Sequence, residues 1–154
     1  MDADARSDAL GLLASFLRDD AHYLASSAAY GDGGLPALEA ALDLFLARPE
    51  LGFVWLAYAG DEGARIAVGA CVLCYAISTA RGGIVAKLDD VTIRDGWQAR
   101  GVGSAMLQDL IRELASSDVR RIDSACHRDN AGAWRFYERI GFKSLHEERI
   151  ALLL

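Results

Sequence analysis

Three strand-like runs stand back to back in the middle of this chain, with only short turns between them. "FVWLAYAG" (53–60), "RIAVGACVLCYAI" (65–77) and "IVAKLDDVTI" (84–93) are rich in aromatic and β-branched residues. "GDEG" and "STARGG" separate them. Turns so short predict antiparallel neighbours, the first pair as a hairpin. The period then changes. "SAMLQDLIRELASS" places Met106, Leu107, Leu110, Ile111 and Leu114 on one helical face. "RRIDSAC" follows as a short strand. "HRDNAGAWRFYERIGF" then carries Ala133, Phe136, Tyr137 and Ile140 at i, i+3, i+4 and i+7, with Asn130 placed to cap its start and Gly141 to end it.

The flanks are less informative. "DALGLLASFLRDDAHYL" reads as one helix and "PALEAALDLFLARP" as a second, with Pro36 suited to a first turn. "KSLHEERIALLL" reads as one or two closing strands, its apolar end suited to packing against a second copy in a homodimer. Antiparallel strands followed by β-α-β-α-β predict an α/β fold: a mixed, mostly antiparallel sheet with helices on both faces. A length of 154 residues suits one domain spanning 1–154.

Composition narrows the function. Charged residues are 25% and apolar ones 53%, an ordinary globular balance. The net charge of −6 argues against a nucleic-acid partner held on a broad basic face. No apolar run reaches the ~18 residues of a membrane helix, so no membrane association is expected. The acidic start lacks the basic residues of a secretory leader, and three cysteines suggest free thiols in a cytoplasmic protein. "CVLC" resembles a redox or zinc motif. It lies on a strand, where positions three apart face opposite ways, and no second pair completes a site, so Cys71 and Cys74 read as packing and no metal is expected.

"GWQARGVGSAML" (96–107) holds the strongest local chemistry. Gly101 and Gly103 precede a helix whose first amides lack partners and whose dipole favours an anion. The backbone from Arg100 through Val102 to Ser104 suits a phosphate or pyrophosphate. The string is neither GxxxxGK[ST] nor a dinucleotide fingerprint, because Met106 stands where the latter needs a small residue.

With "NAGAWRFYERIGF" added, the chain resembles the GCN5-related N-acetyltransferases. "QARGVG" is similar to that family's Q/R-x-x-G-x-G/A loop through Gln98, Gly101 and Gly103. "LDDVTI" resembles its preceding strand, and "NAGAWRFYERIGF" its N-x-x-A-x-x-F-Y-x-x-x-G-F segment. The resemblance spans about Ile84 to Phe142. It implies an acyl-CoA N-acyltransferase fold, acetyl-CoA as donor and a primary amine of a small molecule or peptide as acceptor. It further implies coenzyme contacts from the backbone of Val91, Thr92 and Ile93, from the loop Gln98-Ala99-Arg100 through Ser104, and from the Asn130 amide. Tyr137 matches the tyrosine that protonates the leaving sulfur in many members. Asp90, the second acid of a pair, is the candidate base, with Asp89, His127 or water as alternatives. Asp89 and Asp90, adjacent on a strand, should face opposite sides. His22, Tyr23 and Trp55 are candidates to line the acceptor pocket. A sensor that holds acyl-CoA without turnover, or an acyltransferase with another donor or acceptor, would share these motifs.

Overall fold

The computed structural model describes residues 3–31, 33–61, 63–147 and 149–153. Its elements run α1 (Ala3–Asp19), α2 (Ala21–Tyr30), α3 (Gly34–Ala47), a short 3-10 turn at Pro49–Leu51, β1 (Gly52–Ala59), β2 (Ile66–Ser78), β3 (Gly83–Ile93), α4 (Val102–Ser116), β4 (Ile122–Ser124) and α5 (Ala131–Ile140). The sheet order is β1-β2-β3-β4. The three long strands pair antiparallel, and β4 lies parallel to β3 because the α4 crossover intervenes.

The strands present alternate residues to opposite faces, with a register shift in each antiparallel pairing. Phe53, Trp55 and Ala57 of β1, with Cys71 and Leu73 of β2, pack against Met106, Leu107, Leu110 and Leu114 of α4. Val54, Leu56 and Tyr58, with Ala67, Ala70 and Val72, pack instead against Ala9, Leu12 and Leu13 of α1 and Leu42 of α3. Helices therefore cover both faces, as the pattern predicts. The α4 stripe matches the predicted face, and Asn130 and Gly141 bound α5 as expected: the Asn130 Oδ1 accepts the Ala133 amide at 2.9 Å, and Gly141 takes φ 114°. Cys71 is fully buried, and that burial pushes its thiol up to about 12, which suits packing.

Two expectations fail. The first predicted helix is two, broken at Asp20, whose carboxylate accepts the Tyr23 amide at 2.7 Å and so starts α2 as a separate element. The predicted closing strands are absent among the described residues beyond α5. His146 adopts φ 54°, which interrupts an extended run. Ile150 and Leu152 are exposed. Among the described residues no helix is long and apolar enough to cross a membrane.

Candidate active site

The pairing of β3 with β4 lasts for three residue pairs, Ala86 with Ile122, Lys87 with Asp123 and Leu88 with Ser124. The Ser124 hydroxyl donates to the Leu88 carbonyl at 3.0 Å, pinning the strands where the pairing stops. Beyond that point they part, and a cleft of about 410 Å³ opens between them. Its size is that of a small-molecule pocket.

On the other edge of β3, the register carries a β-bulge. Ala70 pairs with Thr92 and Val72 with Asp89, so Cys71 faces two residues, Asp90 and Val91. Asp90 takes φ 50°, a left-handed conformation that few residues other than Gly, Asn and Asp adopt readily. The bulge overturns the expectation that Asp89 and Asp90 face apart: both line the cleft, together with Val91. Strain of this kind recurs at functional sites.

The bulge also decides which amides are spare. The Arg94 amide donates to the Val68 carbonyl at 2.8 Å, making Arg94 and Val68 a hydrogen-bonded pair. By the alternation of antiparallel ladders, Thr92 also bonds to β2, whereas Val91 and Ile93 turn their amide groups away from it. The Ile93 carbonyl accordingly accepts from the Gln98 side chain at 3.2 Å. Of the three backbone positions expected to contact the coenzyme, Thr92 pairs with Ala70, Ile93 pairs with Gly69, and Val91 lies in the bulge opposite Cys71.

The acids differ in their partners. Asp89 pairs with Lys87 at 2.5 Å and stands 3.7 Å from Arg149. Asp90 is pushed up to about 6, first by burial and then by the neighbouring Asp89 charge, with Lys87 and Arg149 opposing. Tyr137 enters from α5 on the other wall. Its ring packs edge-on against Phe136 and Phe142, both at 5.3 Å between centroids. Burial raises its phenol above the usual range, and Ser124, within hydrogen-bonding reach, works against that shift.

The cleft brings together Asp90, Val91, Asn130 and Tyr137 of the expected residues, with His22 and Tyr23 on the α2 wall. Thr92, Ile93 and Gln98 line a second cavity of about 490 Å³ on the α1 side. Phe16 and Asp20 border both. Trp55 joins neither; it packs against the α4-side core, 6.1 Å from Phe53. His127 lies 5.5 Å from His22 across the cleft. Its Nδ1 accepts the Asp129 amide at 3.2 Å. Asp20 and Arg149 also line the cleft, and Ser124 stands beside Tyr137; none of the three was singled out from the sequence. Only Asp20 had a local signal, as a capping residue three positions before Tyr23.

The remaining loop residues, Ala99 to Ser104, lie outside both cavities at the start of α4. Ala99 takes φ 56° and Gly101 φ 83°, a tight approach for which glycine is suited. Gly101 caps α4 and has no side chain with which to bond the first amides of Val102, Gly103 and Ser104. Arg100 bends back, donating to the Gly96 carbonyl at 3.1 Å with its guanidinium 4.7 Å above the Trp97 ring. Gly103 serves packing as well. A Cβ there would stand 3.3 Å from the Phe136 ring and 3.5 Å from Ile93. Gly103→Val should therefore overpack the α4–α5 contact and cost about 1–3 kcal/mol. A melting temperature equal to wild type would show that the contact yields without strain.

Comparison with known proteins follows the same outline. The model of the acetyltransferase (GNAT) family matches residues 17–142, and the chain belongs to that family. The fold is shared with a crystal structure titled "probable acetyltransferase", at 20% identity and TM-score 0.77, covering 100% of this chain and 94% of that one. An integron cassette protein from the mobile metagenome of Cole Harbour Salt Marsh is 25% identical, with TM-score 0.66 and coverage of 97% and 86%. A ribosomal-protein-alanine N-acetyltransferase from Brucella melitensis biovar Abortus 2308 aligns at 12% identity and TM-score 0.69, covering 99% and 96%.

Proposed function

We propose that the chain moves an acetyl group from acetyl-CoA to a primary amine of a small molecule or peptide, by direct attack and without an acyl-enzyme. The observation that carries this is the placing of Asp90 and Tyr137 in one cleft where β3 and β4 part. An alkylammonium must lose its proton before it attacks a thioester. Asp90, titrating near 6, is ionised at neutral pH and still basic enough to take that proton, directly or through water. The amine nitrogen then bonds to the thioester carbon. The outward amide of Val91 is suited to stabilise the oxyanion that forms. As the carbon–sulfur bond breaks, Tyr137, kept neutral by burial, gives its proton to the thiolate.

The coenzyme's arm would lie along the open edge of β3, bonding to Val91 and Ile93 as an added strand does. Its diphosphate would meet the amides at the α4 start, with Arg100 beside them. The Asn130 side chain spends its oxygen on the cap and keeps its amide nitrogen as a donor. Family membership supports the acyl-transfer chemistry, and the resemblance of the loop and α5 motifs is what points to acetyl-CoA as donor and an amine as acceptor.

Purified protein, acetyl-CoA and a panel of amines, read by thiol release, test this directly. Turnover with at least one amine is expected. Absence of acetyl-CoA binding by calorimetry would overturn it.

A further inference from the structure

The polypeptide beyond α5 returns to the cleft. Arg149 lines it, with its Nη1 3.7 Å from the Asp89 carboxylate. Four residues on, Leu153 lies against Gly31 at the end of α2, its methyl 2.9 Å from where a Cβ on Gly31 would sit. The segment thus runs from the acid pair to the far end of α2. Between these contacts Ile150 and Leu152 point into solvent. Arg149 is the only described residue of this segment among those lining the cleft.

We propose that Arg149 is a positioning residue: by holding Asp89, it leaves Asp90 as the carboxylate that serves the amine. This rests on the assignment of Asp90 as the base. Two carboxylates side by side on one bulge cannot both be ionised cheaply unless one has cations beside it. Asp89 has two, Lys87 on its own strand and Arg149 from the chain's end. Lys87 and Arg149 are each nearly half exposed, 45% and 44%, so solvent screens both and Asp89 draws on the two together. Around the pair, α2 contributes His22 and Tyr23 to the cleft wall, and its cap contributes Asp20. Cys126 and His127 follow β4, and Tyr137 comes from α5. Arg149 is the one guanidinium in that ring of side chains. Without it, Asp89 loses part of its compensation, and the proton affinity of Asp90 rises.

The test is a carbon-13 carboxyl titration of the whole chain, with the Asp90 resonance identified by its loss in Asp90→Asn. In Arg149→Gln the Asp90 midpoint should move up by about one pH unit, at the low end of the effect of a nearby opposite charge. Arg149→Lys should bring most of that back. In an Asp89→Asn background, Arg149→Gln should move the midpoint far less, because Arg149 has lost its anchor. A midpoint unmoved by Arg149→Gln, or moved equally in both backgrounds, would overturn the assignment. The titration needs no turnover, so it separates this proposal from the acetyl-transfer proposal: a shifted midpoint with no amine acetylated would sink the latter alone. With an acceptor in hand, the acid limb of kcat/KM should move up by the same amount in Arg149→Gln.

Discussion

Tyr137→Phe is expected to lower kcat about 10²-fold, at the low end of what losing a general acid costs. The substitution removes only the hydroxyl. The ring keeps its edge-on contacts with Phe136 and Phe142, so the fold should hold and the melting temperature should move little. KM for acetyl-CoA should also hold, because the hydroxyl acts as the carbon–sulfur bond breaks and not on binding. A steady-state comparison with wild type checks all three. Wild-type turnover in the Phe variant would remove Tyr137 from the chemistry and leave it as a core aromatic.

Asp90→Asn is expected to lower kcat/KM by about 10²- to 10⁴-fold while making the protein more stable at pH 7–8. Asn tolerates the left-handed φ of 50° that Asp90 occupies, so the backbone need not change. The stability gain follows from the sign of the shift. The folded carboxyl titrates near 6, above its ordinary value of 3.8. Its contribution favours the fold below the ordinary value and is lost as pH rises through about 6, so at neutral pH the ionised group works against folding. An uncharged Asn removes that penalty. In wild type, kcat/KM should climb through an acid limb near pH 6, and in the variant that limb should vanish. Thermal melts at pH 5 and pH 8 give the second readout: the variant's advantage should appear at pH 8 and shrink at pH 5. Equal stability at both pH values would mean that Asp90 is well solvated in the fold.

What could be seen in the residue order was what repeats locally. The three long strands, the α4 stripe and the caps of α5 all followed from periods of two and 3.6 and from single residues such as Asn130 and Gly141. The break between α1 and α2 was hidden because apolar spacing continues across it, and Asp20 acts as a cap only once the chain bends there. The bulge at Asp90 was hidden for a related reason. Strict alternation is the default for an extended run, and nothing in "KLDDVTI" announces that Cys71 will face two residues at once. Arg149 was invisible for a third reason. Its contact with Asp89 joins positions sixty residues apart through a segment without regular structure. The closing strands failed at His146, where a left-handed residue outweighs the β propensity of the apolar end.

The brevity of β4 leaves a kinetic signature. Because pairing stops at Leu88 and Ser124, the outward amide hydrogens of Val91 and Ile93 have no strand beside them, whereas that of Thr92 is locked into β2. In heavy water the first two should exchange quickly and Thr92 slowly. Saturating acetyl-CoA should slow Val91 and Ile93 and leave Thr92 as it was, so the bound thioester would report itself as the strand that the sheet lacks.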